Sequence, residues 1–208
     1  MANIELKDVT YRYAIGGVEK VSFTLPQGEI ACLLGPSGSG KTTLLKLISG
    51  FLLPQQGQIH FNGKDVSRLP PQKRHVGLVF QQHALFPHLT VEKNILYGYT
   101  GKDKQKGEEL LSKLLEDFHI RSHRMRYPHH ISGGEQQRVA LARAIASEPS
   151  ILLMDEPFSS LDKGLREQVR QECLNIVRAR NLTTLIVTHD EEEAEKISDK
   201  IIRIEKTA

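Results

Sequence analysis

The chain has 208 residues, with 28 Lys+Arg against 25 Asp+Glu and a formal charge of +3. That length suits one domain with a sizeable core, or one domain with a large insertion, and argues against two independent domains. The charge is small and spread along the chain, so composition gives no reason to expect nucleic acid or an acidic lipid surface as the main ligand. The densest basic segment, Arg121 to Arg126, reads as a solvated face, and the histidines other than His189, including His129 and His130, read as surface without a metal-ligand pattern. The two cysteines are far apart, and Cys32 lies in an apolar run, which fits a reducing compartment. No basic head and apolar core opens the chain, so no signal peptide is expected. No apolar run approaches the roughly 20 residues that cross a bilayer, so a membrane role would need another chain to do the crossing.

In chain order, Asn3 to Thr10, Lys20 to Leu25 and Gln58 to Phe61 read as strands of an antiparallel sheet, the last followed by the turn pair Asn62-Gly63. Glu29 to Leu34 is a short apolar run that ends in a glycine-rich loop. Thr42 to Ser49 then carries Leu44, Leu45, Leu47 and Ile48 before Gly50, which gives strand, loop and helix. Val76 to Phe80, Ile151 to Met154 and Thr184 to Thr188 are short, nearly uninterrupted apolar runs, as expected of parallel strands covered on both faces. Between Pro87 and Ser147 the pattern turns helical, with Leu110, Leu111, Leu114, Leu115 and Phe118 on one face and Val139, Ala142, Ile145 and Ala146 on another. Later helices are expected from about Lys163 to Arg180 and from about Glu191 to Ser198, the second behind Asp190 as N-cap. The expected architecture is a single α/β domain over 1–208. It combines a core over 1–86 and 148–208, with an antiparallel β layer, and a helical subdomain over 87–147.

Polar groups stand at the carboxyl ends of the apolar strands: Gly35, Gln81, Asp155 with Glu156, and His189. Ligands of open parallel sheets bind in the crevice outside those ends. The loop Gly35-Pro36-Ser37-Gly38-Ser39-Gly40-Lys41-Thr42 matches GxxxxGK[ST] in full, between a strand and a helix. Its glycines let backbone N–H groups curl round a β-phosphate, Lys41 supplies a point charge, and the Thr42 hydroxyl is placed to ligate Mg²⁺. Asp155 is placed to hold Mg²⁺ through water, and Glu156 to polarise an attacking water. Ser132, Gly133 and Gly134 open a helix, where free N–H groups and the positive end of the dipole make a second anion site. Two such sites in one chain suggest a head-to-tail pair of chains, each nucleotide lying between the phosphate loop of one copy and the Ser-Gly-Gly of the other.

On these residues the chain resembles an ABC-type ATPase, the nucleotide-binding subunit of a membrane transporter, over essentially its whole length. GPSGSGKTT resembles the family's Walker A, reaching Thr43; ILLMDEP its Walker B, with Glu156 as catalytic base; and ISGGEQQR its signature, covering Ser132 to Glu135. The resemblance implies that Gln81 contacts Mg²⁺ and water, and that Thr42, Gln81 and Asp155 form the metal set. It also makes His189 a switch residue at the γ-phosphate, puts Asp162 in the D-loop, and places Tyr13 on the adenine. It further implies the P-loop NTPase fold, ATP and Mg²⁺ as cofactors, and ATP hydrolysis that powers solute import. The implied partners are a second copy, integral membrane permease subunits and an extracytoplasmic solute-binding protein, with the chain peripheral on the cytoplasmic face of the inner membrane.

The segment His83 to His88 is the expected permease contact, beside Gln81. A DNA-repair or chromosome-organising ATPase would carry a long coiled coil between the two nucleotide motifs, a translation factor two tandem ATPase domains, and a phosphotransferase no Ser-Gly-Gly helix. None of these patterns is found here. The signature departs from the usual pattern at Ile131 and Glu135. The carboxylate of Glu135 favours the helix dipole and opposes a γ-phosphate, two effects of opposite sign. Importers with similar segments often continue into a C-terminal β-rich regulatory domain, whereas this sequence stops soon after Glu205; either that domain is naturally absent or the chain is truncated. The cargoes suggested by similarity are ferric iron, thiamine, polyamines or oxyanions, with ferric iron foremost.

Overall fold

The computed structural model describes residues 2–206. They form two compact units, one of residues 2–78, 150–156 and 181–206, the other of residues 79–149 and 157–180.

The first unit begins with β1 (Ile4–Arg12) and β2 (Gly17–Leu25), an antiparallel pair in which Ile4, Leu6 and Val9 are buried. β2 starts three residues before Lys20. Next come β3 (Ile30–Leu34), buried at every position, and α1 (Lys41–Ser49), which Gly50 ends with a left-handed φ of 86°. β4 (Gln56–Phe61) pairs antiparallel with β1, and β5 (Lys64–Asp65) with β4, giving a four-stranded sheet in the order β2-β1-β4-β5. The second sheet adds β6 (Val76–Val79), β7 (Ile151–Asp155), β8 (Thr183–Thr188) and β9 (Lys200–Arg203), in the order β6-β7-β8-β3-β9. Its pairs β7–β8, β8–β3 and β3–β9 are parallel, which explains the unbroken apolar runs: both faces are covered. Leu44, Leu45, Leu47 and Ile48 of α1 join Ile4, Leu6 and Ile59 of one sheet to Leu33, Leu153 and Leu185 of the other in a single apolar cluster. Arg74, almost fully buried, closes the end of α1 by donating to the carbonyls of Leu47, Ile48, Ser67 and Leu69. Burial pulls its guanidinium down to about 10, against the pull of Asp65, so it stays charged at neutral pH.

The second unit is helical: α2 (Val91–Leu96), α3 (Lys104–Asp117), α4 (Gly133–Ala146) and α5 (Lys163–Ala179). Short polar side chains start three of them. Thr90 Oγ1 accepts from Lys93 N, Asp103 from Gln105 N and Lys106 N, and Ser132 Oγ from Glu135 N. Val91, Ile95, Leu111, Leu114, Val139, Leu141, Ile145, Val169 and Val177 are buried. α5 follows β7 in sequence yet groups with α2 to α4, because Val169, Cys173 and Val177 face the helical core. Cys32 in β3 and Cys173 in α5 are both buried and free. α6 (Glu191–Ile197) belongs to the first unit and starts behind Asp190, whose carboxylate accepts from Glu193 N.

Candidate nucleotide site

The loop from Gly35 to Thr42 turns tightly from β3 into α1, and its glycines are required by space as well as by conformation. A Cβ on Gly40 (φ 90°) would lie 2.3 Å from Val18 Cγ1 and 2.6 Å from Gly17 O, and one on Gly35 would lie 2.3 Å from Ile204 O. Gly40 stands at the N-cap of α1 without a side-chain cap, so the first amides of the helix open into the loop. Lys41 is buried and donates through Nζ to Gly35 O at 2.6 Å and Pro36 O at 2.9 Å, which lays its ammonium across the loop.

β7 and β8 bring the remaining groups of this unit to the same edge. Leu34 of β3 is in register with Thr188, and Asp155 with Val187, so Gly35, Asp155, Glu156 and His189 follow from adjacent parallel strands. Thr42 Oγ1 donates to Asp155 Oδ2 at 3.0 Å. Burial pushes the Asp155 carboxyl above its ordinary range; the Thr42 hydrogen bond opposes this, the charge of Glu156 adds to it, and Lys41 and Lys46 counter it. A half-buried carboxylate raised in this way, beside a hydroxyl and a second carboxylate, is a hard-oxygen environment that fits Mg²⁺. Glu156 holds a left-handed φ of 44°, fixed by its amide donating to Val187 O at 3.0 Å. Its Oε1 lies 3.3 Å from Nδ1 of His189, which is largely exposed. A cavity of about 340 Å³ is lined by Tyr13, Gly16, Ser37, Lys41, Thr42 and Glu156, among others. Tyr13 is half exposed, its ring edge-to-face with Tyr11 at 4.9 Å. A cavity of about 390 Å³ between β2 and β9 contains none of the loop residues. Pro36, Ser37, Gly38, Ser39 and Thr43 lie where the motif puts them, Ser39 fully buried and Gly38 with φ 81°.

The second unit holds the other candidates. Ser132, Gly133, Gly134 and Glu135 form the start of α4, with a capping box in which Glu135 Oε2 accepts from Ser132 N at 2.7 Å. A Cβ on Gly134 would come within 2.8 Å of Leu165 Cδ2, so α4 and α5 approach closely there. Gln81, exposed and two residues past β6, donates through Nε2 to Ser159 Oγ at 3.5 Å. Asp162 is exposed at the N-cap of α5 without a side-chain cap bond. Two histidines read as surface are not: His83 is buried beneath α4, and the largely covered His123 donates Nε2 to Glu135 Oε1 at 2.8 Å. No local spacing links His123, on the turn Arg121–His123, to Glu135 on α4; only the folded helical unit brings the two together. Arg143 was also missed: it donates to Ala84 O at 2.8 Å and His83 O at 2.9 Å, with its guanidinium over Phe86 at 5.5 Å. Among the described residues, no group of three or more His, Cys, Asp or Glu is arranged to hold a metal by itself, and no helix is long and apolar enough to cross a membrane.

A parallel sheet with a phosphate-binding loop between β3 and α1, and acids at the end of β7, defines the α/β P-loop NTPase fold. The chain belongs to the ABC transporter family, whose domain model matches residues 18–159. It is 46% identical over 200 residues to a sulfate/thiosulfate import ATP-binding protein of Chromobacterium violaceum, covering 93% of this chain and 55% of that protein. It is 45% identical over 202 residues to an Fe(3+) ions import ATP-binding protein of Fusobacterium nucleatum subsp. nucleatum, covering 96% and 54%. The chain therefore spans about half the length of the curated relatives it matches. Among solved structures, a dimeric ATP-binding cassette in a post-hydrolysis state with ADP and Pi bound superposes with a TM-score of 0.83 at 30% identity, over 97% of this chain and 94% of that one.

Proposed function

We propose that the chain is the ATP-hydrolysing subunit of a solute importer, and that ATP closes two copies head to tail around shared nucleotides. One observation carries this reading: the Glu156–His189 contact at 3.3 Å stands beside the Lys41 loop and the Thr42–Asp155 pair. In this reading the backbone of Gly35 to Thr43 and the Lys41 ammonium hold the β- and γ-phosphates, and Tyr13 stacks on the adenine. Thr42 and, through water, Asp155 would hold Mg²⁺, with Gln81 as a further oxygen donor by family resemblance; the ion would supply charge neutralisation at the phosphates. Glu156 takes a proton from water as the water oxygen bonds to the γ-phosphorus. The bond from that phosphorus to the β,γ-bridging oxygen breaks, leaving ADP and phosphate. His189 orients the water and the γ-phosphate. Ser132, Gly133, Gly134, Glu135 and Asp162 of the second copy cover the nucleotide, so hydrolysis releases the pair.

Of the segment His83 to His88, the buried His83 serves as the anchor and Ala84 to His88 form the contact for integral membrane permease subunits. The chain then sits on the cytoplasmic face of the plasma membrane, with an extracytoplasmic solute-binding protein delivering the cargo. Relatives at 45–46% identity are named for cargoes as different as sulfate/thiosulfate, spermidine/putrescine and Fe(3+). Such spread at constant identity supports a cargo chosen outside this domain.

The test is Glu156→Gln. ATP affinity, measured by calorimetry, is expected to stay within about twofold, and turnover to fall by at least about a hundredfold, the usual contribution of a general base. Light scattering should then record a dimer that appears with ATP and is absent with ADP. A variant that remains monomeric at saturating ATP overturns the head-to-tail reading.

A further inference from the structure

We infer that His123 is the positioning residue of the Ser-Gly-Gly turn: its imidazole takes up the carboxylate that Glu135 brings to that turn and keeps it on the capping side of α4. The functional consequence rests on the nucleotide-facing role proposed above for Ser132 to Glu135.

Both carboxylate oxygens are held. Oε2 accepts from the Ser132 amide at 2.7 Å, and Oε1 from His123 Nε2 at 2.8 Å. The reciprocal half of the capping box is long, with Glu135 N donating to Ser132 Oγ at 3.4 Å. The cap therefore depends chiefly on where the carboxylate is held, not on the serine hydroxyl. The other face of the imidazole explains which nitrogen does the holding. Among the described residues Nδ1 is buried and meets no hydrogen-bond partner, so Nε2 is the nitrogen that donates to Glu135.

His123 stands on a braced turn. It ends the short helical turn Arg121–His123, and the next residue, Arg124, pairs with Glu92 of α2 at 2.7 Å and with Glu108 of α3 at 2.8 Å. The Arg126 amide also donates back to His123 O at 2.8 Å. Two helices of the unit thus fix the donor to which Glu135 is tied. The electrostatics agree. Burial raises the Glu135 carboxyl, but the backbone and hydroxyl of Ser132, together with the charge and hydrogen bond of His123, outweigh it and hold the group below its ordinary range.

This arrangement resolves the two opposed effects of an acid in the signature. Gly133 and Gly134 occupy the first helical turn, where amides have no intrahelical acceptor and the dipole is positive. A carboxylate free to swing across that turn would compete with an incoming phosphate for the same field. Tied to His123, it stabilises the helix start from the side and leaves the glycine amides to the anion. A glutamine at position 135 carries no charge to restrain, so the need for His123 should vanish with Glu135.

The experiment uses His123→Leu, which keeps bulk without a donor, and His123→Gln, whose side-chain amide retains an N–H. In the full chain, hydrogen exchange at the amides of 132 to 136 should accelerate about tenfold in His123→Leu, the size of a lost cap, and by less than about threefold in His123→Gln. Within the Glu156→Gln background, the ATP-driven dimer should weaken about tenfold with His123→Leu, while ATP affinity of the monomer stays within about twofold. Adding Glu135→Gln should erase both differences. Equal exchange in parent and His123→Leu, or equal losses in the leucine and glutamine variants, overturns the inference. Failure of Glu156→Gln to dimerise with ATP would sink the head-to-tail reading alone, because the exchange measurements decide the role of His123 in the monomer.

Discussion

Glu135 and Glu156 show how differently two carboxylates of one chain are treated. Glu156 is held by its backbone, in a left-handed conformation that a residue with a Cβ adopts at a cost of about 1–2 kcal/mol. Glu135 is held by its oxygens, and its carboxyl lies below the ordinary value of 4.5. A carboxyl lowered in the folded state binds fewer protons there than in the unfolded chain. Its contribution to stability is therefore complete above the ordinary value and is lost as pH falls through the lowered one. Thermal melts taken from neutral pH down through the carboxylate range should show Glu135→Gln less stable than the parent at neutral pH and converging with it in acid. A constant gap across that range would mean that the carboxylate charge plays no part in the cap.

At the scale of elements, α4 does more than begin at the signature. Arg143, in its last turn, donates to the carbonyls of His83 and Ala84, whose left-handed φ values of 58° and 48° need an external restraint. Asn94 of α2 completes the restraint by accepting from Phe86 N at 2.8 Å and donating to Phe86 O, Leu89 O and Thr90 O. Arg143→Ala should lower stability by about 2 kcal/mol, the worth of charge-assisted bonds lost from a half-buried site, and raise hydrogen exchange across 83 to 89. Arg143→Lys, with a single-point donor, should fall between. None of this was visible in the sequence, where Arg143 is one more basic residue on a helix. The phosphate loop, the acids after β7 and the histidine after β8 were legible because each sits at a fixed offset from an apolar strand. The strands of the parallel sheet were legible for the same reason, their continuous apolar runs leaving little choice of partner. Contacts such as Arg143 to His83 and His123 to Glu135 join residues 60 and 12 positions apart through packing that no local spacing encodes.

On the whole-molecule scale, the chain is two compact units that interleave in sequence, with residues 150–156 and 181–206 returning to the first after the helices. Each unit contains one cysteine, Cys32 in the first and Cys173 in the second, and burial pushes both thiols up to about 12. At neutral pH neither is a thiolate, so a disulfide reagent reacts only after the surrounding structure opens. Single-cysteine variants, Cys32→Ala and Cys173→Ala, should therefore label at rates set by opening of the second and the first unit respectively, and bound ATP should slow the labelling of Cys32 by stabilising the unit with the phosphate loop. Equal slowing of both thiols would show that nucleotide ties the two openings into one event. The two buried sulfur atoms thus serve as native reporters, one in each unit, whose reaction with a single reagent times the loosening of each half separately.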